Sequence, residues 1–258
     1  MESTEKVLIL KVGRLREVDV WLRLFSPRKG IFTAFAFGGS VSRRRFLGCL
    51  DPLNVVTFKI KTDAAKGYVY LLEGALLASH PRLRRDSQRL GMAVNCLKFL
   101  EAAHLGPAGS DLAFELLLRT LAALEEGEPP SGMLPLFYRA RTAFDQGFRP
   151  DLSSCARCGA PLGGGAPEIL PEDAPLSLFL VEQGRLLCGA CRPFARGAAV
   201  ALGCESLRAL GLVASLGPDA WSRLALSAGA RMECGRCLDA FVEHHLGLTW
   251  QSGSFRRI

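Results

Sequence analysis

The chain has 258 residues, 49% of them hydrophobic, enough for one large core or two to three small ones, and no run of 18 apolar residues that would cross a membrane. Its amino terminus, MESTEKVLIL, starts with acids and has too short an apolar run for a secretion signal, so a cytoplasmic protein is expected. The net charge of +7 is lopsided: residues 1–80 hold 13 Lys/Arg against 7 Asp/Glu, the rest 19 against 18, so the excess that suits a polyanion lies in the first third, unless it is only a solvated basic surface.

Residues 1–80 read as strands. KVLILKV is β-rich. EVDVWLRLFS alternates, with Val18, Val20, Leu22 and Leu24 on one face and Asp19, Trp21, Arg23 and Phe25 on the other. After the turn PRKG comes GIFTAFAFGG, then LNVVTFKIKT and GYVYLLEGALL. Five short strands, with room for one short helix near residues 46–50, predict a small barrel of the OB type; an SH3-like barrel has compatible spacing.

From about Pro81 the period becomes helical. Leu90, Ala93, Val94, Leu97 and Leu100 mark one helix. SDLAFELLLRTLAALEEG is a second, with Leu117, Leu121 and Leu124 on its buried face, and MLPLFYRARTAFDQG a third. Residues 151–194 differ: GGGAPEILPEDAP is rich in Gly and Pro and has little core, so something must staple this stretch. Helices return with CESLRALGLVASLG and ARMECGRCLDAFVEHHLG, and the tail LTWQSGSFRRI reads as loose. The expectation is an α+β multidomain chain: a barrel over 1–80, a helical domain over 81–150 and 195–258, and an inserted module over 151–194.

Three CxxC pairs occur. Cys155/Cys158 and Cys188/Cys191 are 29 residues apart and bracket the coreless segment, the arrangement of two knuckles sharing one tetrahedral zinc. Four protein thiolates leave no open position, so such a zinc is structural. Four unmetallated thiols are the competing reading; a redox CxxC would need a βαβ setting that is absent here. The third pair, Cys234 and Cys237, shares a helical stripe with Phe241. A continuous helix would hold Cys234 and His244 about 15 Å apart, too far for one ion, so this pair is assigned to core packing.

Arg14, Arg28, Lys29, Arg43, Arg44, Arg45, Lys59 and Lys61 lie on or near the predicted strands and turns and are the candidate nucleic-acid contacts. Phe35, Phe37, Trp21 and Tyr68 could supply stacking platforms, although each alone reads as core. A second run, Arg82, Arg84, Arg85 and Arg89, reads equally as an exposed helix face. No Walker loop, HExxH, Ser/His/Asp order or paired-carboxylate pattern appears, which favours a binding protein over an enzyme.

The order of parts resembles the RecO family of bacterial recombination mediators. VDVWLRLFSPRKGIFTAFAFGGSVSRRRFLGCLDPLNVVTF is similar to that family's second to fourth strands and basic turn. FYRARTAFDQGFRPDLSSCARCG is similar to its helix running into the first CxxC, and FVEHHLG to its last helix. The chain departs from the family at Phe37, where a Lys is usual, and at Gln251-Ser252-Gly253, where a Lys-Ser-Arg-like stretch is usual.

The resemblance implies a non-enzymatic DNA repair and recombination mediator, cytoplasmic and nucleoid-associated, with one structural Zn²⁺. It would bind single- and double-stranded DNA and anneal complementary strands. With RecR it would help load RecA, and it would engage the acidic C-terminal tail of single-strand-binding protein. A groove of Leu118, Arg119, Phe137, Arg139 and Arg141 is the expected dock for that tail. The alternatives are a zinc-containing nucleic-acid enzyme, for which neither a carboxylate cluster nor a reactive lysine is found, and an adaptor whose basic face binds acidic tails.

Overall fold

A computed structural model describes residues 2–42, 44–63, 65–106, 109–127, 131–162 and 176–258. The chain divides into two units: residues 1–87 with 104–115, and residues 88–103 with 116–258.

In the first unit β1 (Glu2–Arg14), β2 (Val20–Ser26), β3 (Gly30–Ala36), β4 (Val55–Asp63) and β5 (Tyr68–Ala78) close into a barrel in the order β1-β2-β3-β5-β4. All pairings are antiparallel except β3 with β5. This ring order, with its one parallel seam, is that of an OB-like Greek-key barrel, and it removes the SH3-like alternative. β1 serves two partners: Glu2 to Leu8 pair with β4, Leu8 to Arg14 with β2, and a bulge between Ile9 and Lys11 makes the bend.

Alternation fills the barrel. Val7, Ile9, Val20, Leu22, Leu24, Ala34, Val56, Phe58 and Ile60 point inward, and Phe46 and Cys49 from the β3–β4 connection add to the same core. That connection holds a 3-10 turn at Gly39–Val41 and further turns. Two expectations for β2 change. Val18 precedes the strand and is 40% exposed, whereas Phe25, placed on the outer face by alternation, is 1% exposed. The reason is Phe114, whose ring lies 5.5 Å from that of Phe25. A short helix α1 (Pro81–Arg85) follows the barrel, and Arg84 donates to the Pro52 carbonyl at 2.6 Å and to Asn54 Oδ1.

The helices are α2 (Ser87–Ala103), α3 (Ser110–Glu126), α4 (Leu134–Ala143), α5 (Cys204–Ser215), α6 (Pro218–Trp221) and α7 (Ala228–Leu246). Leu117, Leu121 and Leu124 of α3 are fully buried, as the period predicts. Helix α4 is buried nearly all round, 8 of its 10 residues being inaccessible, which makes it the central helix of the second unit. Arg89 is also buried: its guanidinium donates to the Leu124 and Glu125 carbonyls at 2.5 and 3.3 Å, capping the end of α3.

The inserted module is a four-stranded sheet, β6 (Asp151–Cys155), β7 (Ser177–Leu180), β8 (Arg185–Leu187) and β9 (Ala199–Leu202), in the order β6-β8-β7-β9. Its fourth strand lies beyond residue 194. The run GGGAPEILPEDAP lies outside the described residues. The tail is not loose: β10 (Leu248–Gln251) and β11 (Ser254–Arg257) form a hairpin. Phe255 packs at 5.1 Å from Phe99 and 4.7 Å from Trp250, and the Arg139 guanidinium sits over its ring.

Candidate four-thiol centre and nucleic-acid interface

Cys155 ends β6 and Cys188 follows β8; these two strands pair in parallel, which brings the two CxxC segments side by side. The first segment turns back at Gly159, whose φ of +73° is one that a side chain strains to adopt. In the second, the Cys191 and Arg192 N–H groups both donate to the Cys188 carbonyl, at 3.0 and 3.1 Å. The four sulfurs lie within 4.8 Å of one another, and Cys158 Sγ is 3.8 Å from Cys188 Sγ. Four sulfurs placed tetrahedrally about 2.3 Å from one ion are about 3.8 Å apart, so the cluster has the size of a metal site. Among the described residues it is the one group of three or more Cys, His or carboxylate side chains with that property.

The four thiols differ in their electrostatics. Burial disfavours the Cys155 thiolate, but the N–H groups of Cys158, Cys188 and Arg157 outweigh it and bring the thiol down to about 6. Cys188 N–H, for example, lies 3.4 Å from Cys155 Sγ. Cys191 is pushed up to about 12, by burial first and then by hydrogen bonding with Cys188, Cys158 and Cys155. Thiols this close cannot all ionise without a positive charge between them. Leu180 and Leu187 back the site, and Arg157 stacks on the ring of Phe194, tying the two knuckles together on the outer side. The third pair behaves as expected: Cys234 and Cys237 are fully buried on α7, and burial raises Cys234 to about 11 and Cys237 further.

The basic residues do not form one cluster. Arg28 and Lys29 sit exposed at the β2–β3 turn, their backbone N–H groups on Ser26 Oγ. Arg28 also donates to the Thr4 carbonyl at 2.6 Å and pairs with Glu5 at 3.1 Å. At the other end of the hairpin Arg14 lies opposite Val20, which in turn lies opposite Ala36. Arg45 reaches that same end, its Nη2 donating to the Phe37 carbonyl at 2.7 Å and its guanidinium 5.1 Å over Phe46. Arg44 is exposed beside it, and Arg43 lies outside the described residues. Lys59 pairs with Glu2 at 3.3 Å, and Lys61 is exposed on β4 opposite Tyr70.

The expected groove in the helical unit needs correction at Phe137. Its ring is fully buried, 6.3 Å from that of Trp221, because α4 is buried nearly all round. Leu118 is half-buried and Arg119 exposed, held by Asp219 Oδ2 at 2.5 Å. Arg139 is engaged by Asn95 and Asp239, and Arg141 by Asp145 and the Leu216 carbonyl. Sequence reasoning missed Tyr70 on the barrel face; its signal was the two-residue spacing from Tyr68 in GYVYLL.

A basic OB-like barrel and a helical unit that carries a four-thiol sheet define the class: an OB-barrel protein with an inserted four-cysteine module. Residues 1–80 match the family model "Recombination protein O N terminal" and residues 84–253 match "Recombination protein O C terminal". The chain is 46% identical to "DNA repair protein RecO" of Nitratidesulfovibrio vulgaris and 45% to that of Solidesulfovibrio magneticus, each over 258 residues and 100% of both chains. It is 33% identical to the protein of that name from Lawsonia intracellularis over 261 residues, again 100% of both. The chain belongs to the RecO family, which gives it a role in DNA repair and recombination.

Proposed function

We propose that the chain is a mediator without a chemical step of its own, which holds single- and double-stranded DNA on the barrel and anneals complementary strands. With RecR it helps load RecA onto gaps coated by single-strand-binding protein, in the cytoplasm at the nucleoid. The observation that carries the DNA-binding part is the closed OB-like barrel built from the one third of the chain that holds nearly all the excess positive charge. Annealing requires two phosphate backbones to be screened at once, which exposed cations at both ends of the β2–β3 hairpin supply.

The four thiols are read as a structural Zn²⁺ site. Soft thiolates in a tetrahedron favour zinc, and a full set of protein ligands leaves no place for a reacting water. The acidic, apolar tail of single-strand-binding protein is assigned to the helical unit near Leu118 and Arg119, where its carboxylates would displace Asp219 from Arg119.

The test is annealing of complementary oligonucleotides, with a salt titration of DNA affinity, for the wild type and for a variant with Arg43, Arg44 and Arg45 each changed to Glu. The variant should anneal slowly and show a shallower salt dependence. Unchanged affinity across the titration would sink the barrel assignment.

A further inference from the structure

The outer face of the barrel carries a row of rings whose order is set by strand register. Trp21 on β2 lies opposite Gly13 on β1 and Phe35 on β3; Phe35 lies opposite Tyr70 on β5; Tyr70 lies opposite Lys61 on β4. Phe37 and Tyr68 extend the row. Ring centroids are 5.5 Å apart for Phe37 and Tyr70, 5.6 Å for Phe35 and Tyr68, and 6.4 Å for Tyr68 and Tyr70. None of these rings belongs to the barrel core. Phe37 and Tyr68 are 47% and 50% exposed, and Trp21, Phe35 and Tyr70 are half-buried. The row is built in: a Cβ at Gly13 would stand 2.4 Å from the Trp21 indole, so the missing side chain is what lets the indole lie across β1.

Charge frames the rings. Lys61 is exposed at one side of the row. On the other, Lys11 and Arg23 are register partners, and Arg23 Nη1 is steadied by Thr33 Oγ1 at 3.1 Å. Arg45 is exposed beside Phe37, to whose carbonyl it is bonded. The acids near the row are engaged elsewhere. Asp63, opposite Tyr68, accepts from the Ala65 and Lys66 N–H groups at 3.0 and 3.2 Å, and Glu2, opposite Lys61, pairs with Lys59. Ring faces bordered by cations match a strand that offers both base faces and phosphates.

We propose that this row is a base-stacking platform for single-stranded DNA, and that it holds the strand by its base faces. The proposal rests on the reading that the barrel binds DNA, and deepens it. In a duplex the base faces are covered by their neighbours, so rings have nothing to take; cations serve both forms through phosphate. The row therefore separates single strands from duplex, which the charge alone does not. Stacking uses base faces and leaves the pairing edges open. A strand held this way can be read by its complement, and pairing withdraws the bases from the rings, which releases the product.

The test compares three ligands by fluorescence anisotropy at one salt concentration: an oligothymidylate, an abasic strand of the same length, and a duplex of the same length. Stacking is worth about 1–3 kcal/mol per base, so the unaltered chain should bind the abasic strand at least about tenfold more weakly than the oligothymidylate. A variant with Phe37→Ser and Tyr68→Ser should bind the oligothymidylate about tenfold more weakly and the duplex within about twofold of wild type. Equal affinity for the thymidylate and abasic strands, or a variant that loses strand and duplex alike, overturns the platform and leaves the DNA-binding barrel standing. Binding to none of the three overturns the DNA-binding reading and the platform with it.

Discussion

The Arg28 guanidinium, 67% exposed, stands 3.1 Å from the Glu5 carboxylate, which is only 5% exposed. Glu5 also accepts from Ser26 Oγ at 3.0 Å. One exposed cation thus covers a buried anion at the β2–β3 turn. Removing the cation leaves that anion with a single donor, so Arg28→Ala should lower stability by about 1–2 kcal/mol, more than an ordinary surface pair. Denaturant unfolding measures this, and a change near zero would show that water replaces the guanidinium without loss. Because Glu5 already matches its charge, the same variant should change DNA affinity less than loss of Arg14 or Arg44.

Arg14 and Arg44 are both exposed, and no carboxylate is seen pairing with either among the described residues. Each of Arg14→Ala and Arg44→Ala should lower the slope of log affinity against log salt by about 0.7–0.9 if the residue meets one phosphate. The measurement is anisotropy with one oligonucleotide over a salt series. An unchanged slope removes that residue from the interface.

The sulfur geometry predicts different outcomes for different cysteines. Cys155→Ser and Cys191→Ser should each abolish bound metal and loosen the β6–β9 sheet, whose small core includes both residues. Cys234→Ser should keep one ion per chain. Elemental analysis of purified protein decides this, and two ions in the wild type would show that Cys234 and Cys237 are ligands after all.

Cys237 is fully buried on α7 among apolar neighbours. Cys237→Ser introduces a hydroxyl that must be desolvated there and should destabilise the chain by about 1–3 kcal/mol, with metal content unchanged. Cys237→Ala, which adds no polar group, should be milder. If the serine variant unfolds at the wild-type denaturant concentration, the site is wetter than its burial indicates.

The carboxy-terminal hairpin should contribute to the second unit. Phe255 meets Phe99, Trp250 and Arg139, and Lys98 Nζ donates to the Gly253 carbonyl at 2.7 Å. Phe255→Ala should cost about 2 kcal/mol, below the value for a fully buried ring because Phe255 is half-buried. Thermal unfolding reads it; an unshifted transition would return the tail to the loose segment its composition suggests.

Elements with a clean period were legible in advance. Val20, Leu22 and Leu24 alternate and are buried; Leu117, Leu121 and Leu124 recur every third or fourth residue and are buried. The CxxC pairs were legible because thiolate chemistry constrains spacing, and the third pair because a helix cannot bend two ends to one ion. Phe137 was misplaced for a reason of the same kind. A central helix such as α4 is covered on every side, so an aromatic beside two arginines gives no sign of which face is outside. The tail failed because a short hairpin has too few residues for a pattern, and what orders it is Phe99, far away in the chain.

The sequence by itself determined the five barrel strands, the longer helices, the charge asymmetry and the identity of the four thiols. Each of these follows from local period, composition or ligand chemistry. Only the tertiary structure decided which residues meet. The parallel seam of β3 and β5 sets Phe35 beside Tyr70, and Phe114 covers Phe25. The pairing of β6 with β8 draws Cys155 to Cys188 across a gap of more than thirty residues. Register and packing between distant segments are fixed by the closed barrel and the buried core as wholes, and no local stretch of chain carries that information.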